Sequence, residues 1–128
     1  MTRHRRAMLI ILVIAWLGAV TSTHIPLPEI PPEMNVGDKT LHEVGFAGLT
    51  TLLVLTLLAW RTRRIRRIVL TLTVLPAYAA LDELTQPYFH RSCDIHDWLS
   101  DLAGILIALA AWETIMALAQ EKKKTTGD

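Results

Sequence analysis

The sequence predicts an all-α polytopic membrane protein, with four transmembrane helices in a small bundle and both termini cytoplasmic. Three observations lead there. Of 128 residues, 52% are hydrophobic and the mean hydropathy is +0.35, more apolar surface than so short a soluble domain can hide. The charged residues, 20% of the chain, fall in short blocks instead of alternating around helix faces. Finally, four apolar stretches of roughly 17 to 22 residues each match ~30 Å of hydrocarbon at ~1.5 Å per residue.

The first stretch covers about 7–23, directly after the basic Arg3-His4-Arg5-Arg6. A secretory signal is the competing reading, because Thr21-Ser22-Thr23 follows the apolar run. The run is long for a signal and lacks an Ala-x-Ala site, so a retained helix is expected. The next segment, to Thr40, contains Pro26, Pro28, Pro31 and Pro32; it reads as a stiff extended spacer, with Asp38 or Thr40 capping the second helix. The second helix covers about 41–60 and is free of charge from Val44 to Trp60. The third covers about 65–81, with a kink expected at Pro76. The fourth covers about 98–119 and contains Asp101 and Glu113. In lipid each backbone group must be paired within its own segment, so helix is the state available to these runs.

Eleven of the 13 Lys and Arg residues lie at the N-terminus, in the Arg61–Arg67 turn or in the tail; Lys39 and Arg91 are the exceptions. By the positive-inside rule, both termini and that turn are cytoplasmic. Nine of the 12 acids fall on the opposite, outer side, several at helix mouths. The basic turn reads as a topology anchor, with no aromatic or fold support for nucleic-acid binding. A single cysteine, Cys93, excludes an intrachain disulfide framework and a Cys-rich zinc site. Trp60 and Trp98 read as interfacial anchors.

Two outer clusters concentrate the chemistry. In Asp38-Lys39-x-x-His42-Glu43, the pairs Asp38/His42 and Lys39/Glu43 stand four residues apart, on one helix side each. The plain reading is a cap with a surface ion pair. His42, however, sits where the helix is already turning apolar. The second cluster holds Asp82-Glu83-x-x-Gln86, His90, Arg91, Asp94, His96, Asp97 and Asp101. If the fourth helix starts near Asp94, then Asp94, Asp97, Asp101 and Gly104 form one stripe, which Ala108 extends as a close-contact surface. Asp101 then lies about a turn inside the membrane, with Arg91 and His42 as its natural partners. Glu113 reaches the inner interface or pairs with Arg6 or a neighbouring subunit.

Asp38-Lys39-x-x-His42 and Asp82-Glu83-x-x-Gln86, followed by Arg91, Asp94, Asp97 and Gly104, resemble the VanZ-like family of small polytopic bacterial membrane proteins. The family pattern usually carries Asn where this chain has Asp101. The resemblance implies one membrane domain over 1–128 and a cell-envelope role, the family's founder being associated with resistance to teicoplanin. It supplies no reaction.

The expected function is binding or handling of an amphiphilic molecule, lipid-linked or lipoglycopeptide-type, at the outer acidic/His cluster. The residues proposed to meet it are Asp38, Lys39, His42, Asp82, Glu83, Gln86, Arg91, Asp94, Asp97 and Asp101. The alternative is a membrane-embedded hydrolase or transferase, with His42, Asp38 and Asp97 as catalytic candidates. A transporter or flippase ranks below both, since four helices make a thin bundle. No cofactor is established by sequence; a divalent cation is compatible, with Glu83, Asp94, His96 and Asp97 as candidate ligands. Expected partners are membrane lipids, the envelope amphiphile and a second copy of the chain, with Gly45, Gly48 and Gly104 as candidate packing sites.

Overall fold

The computed structural model describes residues 2–25 and 35–127, the side chains of 35–38 excepted. The four helices are α1 (Arg3–His24), α2 (Asn35–Ala59), α3 (Arg64–Thr85) and α4 (Ile95–Thr126), with a 3₁₀ turn at Gln86–Phe89. Each is long and apolar enough to cross a membrane. All four exceed the apolar stretches read from sequence, because helical turns continue into polar residues at both ends of α1, α3 and α4 and at the start of α2. The largest correction falls at α2. It begins at Asn35, so position 38 lies in its first turn instead of at the cap, and the extended spacer must end earlier. The prolines of that spacer lie outside the described residues.

Local chemistry accounts for most helix ends. Thr2 caps α1, its hydroxyl accepting from the Arg5 N–H at 3.4 Å. Asp94 caps α4, accepting from the His96 N–H at 2.9 Å. The α2 C-terminus closes through the Arg61 N–H to the Leu58 carbonyl and the Thr62 N–H to the Leu57 carbonyl. Arg61 is left-handed there, with φ of 56°, and Arg5 Nε donates to the Ala59 carbonyl at 2.9 Å. These bonds satisfy carbonyls that a helix end otherwise leaves open. α3 runs as one helix from Arg64 to Thr85 with Pro76 inside it.

The burial pattern inverts that of a soluble bundle. Large apolar side chains face outward on every helix, among them Ile10, Ile14, Leu17, Val44, Val69, Leu72, Leu106 and Ile107. Contiguous exposure on that scale is what lipid requires. Polar groups go inside: His42, Thr50, Thr71, Arg67, Asp82, Glu83, Gln86, Asp97 and Asp101 are all buried. They flank a small apolar core of Leu12, Phe46, Leu49, Leu53, Leu75, Ala79 and Ile105. Trp16 and Phe46 both pack on Tyr78, with ring centroids 4.9 and 5.5 Å away.

The most extensive packing is between α2 and α4, and Gly104 is the reason. A Cβ there would run into the Glu43 carbonyl and lie 3.2 Å from the Ala47 nitrogen. The absence of a side chain lets the two backbones meet, as the small-residue stripe predicted. Gly45 and Gly48 differ: a Cβ at either meets nothing within 4 Å. At the far end, Glu113 is held by α3. It accepts from Arg67 Nη2 at 2.6 Å and from Arg64 Nε at 2.7 Å. Its expected partner Arg6 is replaced because positions 64 and 67 share one face of α3 opposite α4.

Candidate functional site

The site lies where α2 and α4 begin and α3 ends. His42, one turn past Lys39, points inward from α2 and is 6% exposed. Asp101 meets it from α4, fully buried, with its Oδ1 3.0 Å from His42 Nδ1. The close approach at Gly104 makes this possible, since Gly104 sits one turn beyond Asp101 and faces Glu43, the neighbour of His42. Glu83 joins them from α3. The donor atoms of His42, Glu83 and Asp101 lie within 4.8 Å of one another, and all three residues are buried. This group could hold a metal ion.

Glu83 is fixed from two sides. Its Oε1 accepts from Gln86 Nε2 at 2.9 Å and its Oε2 from the Asp94 N–H at 3.0 Å. The Asp-Glu-x-x-Gln spacing therefore has a physical purpose: three residues along the helix end, Gln86 turns back onto the carboxylate. Asp82, the adjacent residue, faces the other way. Its Oδ1 accepts from Thr23 Oγ1 of α1 at 2.9 Å and from Tyr78 OH at 3.4 Å, with His24 Nδ1 3.7 Å away. Thus the paired acids split, one to the α2/α4 junction and one to α1. Asp97 is buried on the same α4 stripe, within electrostatic reach of Glu83 and Asp101.

Other expected residues sit at the periphery. Asp94 is the α4 cap, and His96 is exposed, its Nδ1 2.9 Å from Asp94 Oδ1. Bonds from the His96 backbone N–H and imidazole hold the Asp94 carboxyl below its ordinary range. Lys39 acts electrostatically on Asp94. Among the described residues, the group that could hold a metal ion thus shares only Glu83 with the set expected from sequence, and its other members are His42 and Asp101. Arg91, expected beside Asp101, instead donates from Nη1 to the Thr23 carbonyl at 3.2 Å. Asp101 takes the other expected partner, His42. The Asp38 side chain lies outside the described residues; among those described, Asp101 places a carboxylate oxygen 3.0 Å from His42 Nδ1.

Sequence reasoning did not single out Thr23, His24 or Tyr78. Thr23 and His24 end α1 at the level of Asp82, and His24 packs edge-on against Phe89 with ring centroids 4.6 Å apart. Their signal was faint: polar residues closing an apolar run, easily taken for its boundary. A crevice of about 350 Å³ opens beside the site between α1 and α2. Ala19, Leu41, Phe46 and Leu49 give it apolar walls, while His42, Thr23 and Arg91 contribute polar groups.

Membrane-length helices with apolar outer faces, enclosing an imidazole and several carboxylates at one end, define a multi-pass membrane protein with a polar intramembrane site. Residues 19–117 match the family model VanZ/LLP1, and the chain belongs to that family. No curated protein and no solved structure matches it.

Proposed function

We propose that this protein binds an amphiphilic molecule of the bacterial envelope, lipid-linked or lipoglycopeptide-type, in the crevice between α1 and α2. The observation that supports this most is the crevice's composition. Its walls are apolar and open between membrane-spanning helices, while His42 and Arg91 contribute polar groups to the lining. An acyl or prenyl chain lies against Leu41, Phe46 and Leu49, and the head group meets His42 and Arg91. At about 350 Å³ the space is at the small end of ligand sites, ~300–1,000 Å³. It therefore takes one chain with its adjoining polar group, leaving a larger glycan or peptide outside.

The cation distribution, 11 of 13 away from this end, orients the site to the exterior of the plasma membrane with both termini cytoplasmic. That location suits the teicoplanin-type resistance implied by the family resemblance. One observation favours catalysis as a second reading: a buried carboxylate stands 3.0 Å from His42 Nδ1, an arrangement that orients an imidazole base. A hydrolase or transferase acting on a lipid-linked substrate would use that pair, and a divalent cation at the neighbouring carboxylates would suit either reading.

The test uses purified protein in detergent, with a fluorescent polyprenyl phosphate and teicoplanin as probes. Gly45→Leu fills the crevice from a position where a Cβ meets nothing, so it should abolish binding without unfolding the bundle. His42→Ala should weaken binding at least tenfold. Mass spectrometry of the recovered lipid separates the two readings: unchanged probe means binding, and a new product that disappears in His42→Ala means catalysis. Equal binding by wild type and Gly45→Leu would refute the crevice.

A further inference from the structure

We infer that His42, Glu83 and Asp101 form a binding site for one first-row divalent transition ion, of the Zn²⁺ or Mn²⁺ kind. Three helices deliver the ligands, and their donor atoms converge within 4.8 Å. With metal–ligand bonds of about 2.1 Å, neighbouring ligands in an octahedral shell stand about 3.0 Å apart. His42 Nδ1 and Asp101 Oδ1 are at 3.0 Å. Donors on opposite sides of such an ion stand about 4.2 Å apart, close to the 4.8 Å within which all three donor atoms, that of Glu83 included, lie.

A second, independent observation points to a cation. Asp101 is fully buried, and its Oδ2 has no hydrogen-bond partner among the described residues. A buried carboxylate oxygen is normally satisfied by a donor or a metal. The surroundings strengthen the case, because Asp82, Glu83, Asp97 and Asp101 bring four buried carboxylates to this end of the bundle. A dication offsets that concentration of negative charge where lipid excludes water.

The donor set selects the ion. One imidazole with two carboxylates suits first-row divalent metals, whereas Mg²⁺ and Ca²⁺ prefer all-oxygen shells. The supporting shell is already present. Gln86 Nε2 and the Asp94 N–H each hold one Glu83 oxygen, the kind of outer contact that orients a metal-binding carboxylate. His96 and Asp94, although paired, lie at the exposed start of α4 and are outside the set.

The experiment counts metal. Full-length, tag-free protein in detergent is equilibrated with equimolar Zn²⁺, Mn²⁺, Mg²⁺ and Ca²⁺, desalted and measured by plasma mass spectrometry. The site predicts one Zn²⁺ or Mn²⁺ per chain, reduced at least tenfold in Glu83→Gln and Asp101→Asn and unchanged in His96→Ala and Glu113→Gln. Absence of a stoichiometric transition ion, or equal content in Asp101→Asn and wild type, overturns the assignment and leaves a proton on the carboxylates. Loss in His96→Ala alone moves the site to Asp94 and His96, and so also overturns it. Should the carboxylate variants fail to fold, Co²⁺ added to wild type decides: visible d–d bands displaced by Zn²⁺ support the site, and their absence refutes it. Gly45→Leu keeps its metal, so failure of amphiphile binding and failure of metal binding remain separable.

Discussion

Replacing Gly104 by Ala tests the architecture and the site together. The added methyl would collide with the Glu43 carbonyl, and the Ala47 nitrogen stands 3.2 Å from the same position. Backbone atoms cannot rotate away, so α2 and α4 must separate by roughly 1 Å to restore ordinary contact distance. That separation loosens Phe46, Leu49, Leu53 and Ile105, a rearrangement that typically costs about 1–3 kcal/mol. It also lengthens the 3.0 Å contact between His42 and Asp101, because these residues sit beside the two colliding positions. Gly45→Ala and Gly48→Ala are internal controls. Their new methyls meet nothing, and better helix propensity should leave stability unchanged or slightly raised. Unfolding by SDS in mixed micelles, followed by circular dichroism, measures all three. Cysteines introduced one at a time on facing turns of α2 and α4, and cross-linked in pairs, report the separation directly. A Gly104→Ala protein as stable as the Gly48→Ala protein, with unaltered cross-linking, would refute the close-approach argument.

Two further outcomes follow from the charged groups. Arg67→Ala strips a buried guanidinium from Glu113, which keeps only Arg64, and should destabilise by about 1.5–3 kcal/mol, the usual loss for a charged hydrogen bond; Arg64→Ala, whose side chain is 70% exposed, should cost no more than about 1 kcal/mol. The same SDS titration ranks them, and equal effects would contradict the burial difference. Asp94→Ala removes the α4 cap, a loss of about 1 kcal/mol. The Asp94 carboxyl titrates below its usual 3.8 when folded, so its contribution is complete above that pH and vanishes as pH falls through the lowered value. Thermal unfolding should therefore separate wild type from Asp94→Ala at pH 7, with the gap narrowing only below about 3.8.

The apolar runs and the sorting of Arg and Lys determined the number of helices and the expected orientation, because transfer into lipid depends on composition over some twenty consecutive residues. The α4 stripe was equally legible, since spacings of three and four residues map onto one helical face. Partner choice was not. For Asp101 the sequence offered both His42 and Arg91 and for Glu113 it offered Arg6, while the folded chain joins Asp101 to His42 alone of that pair and Glu113 to Arg64 and Arg67. It also sends the neighbours Asp82 and Glu83 to different helices. Those pairings depend on how far α2 and α4 can approach and how α3 is rotated against them. Backbone contact at Gly104 governs the first, and such contact between segments distant in sequence exists only in three dimensions.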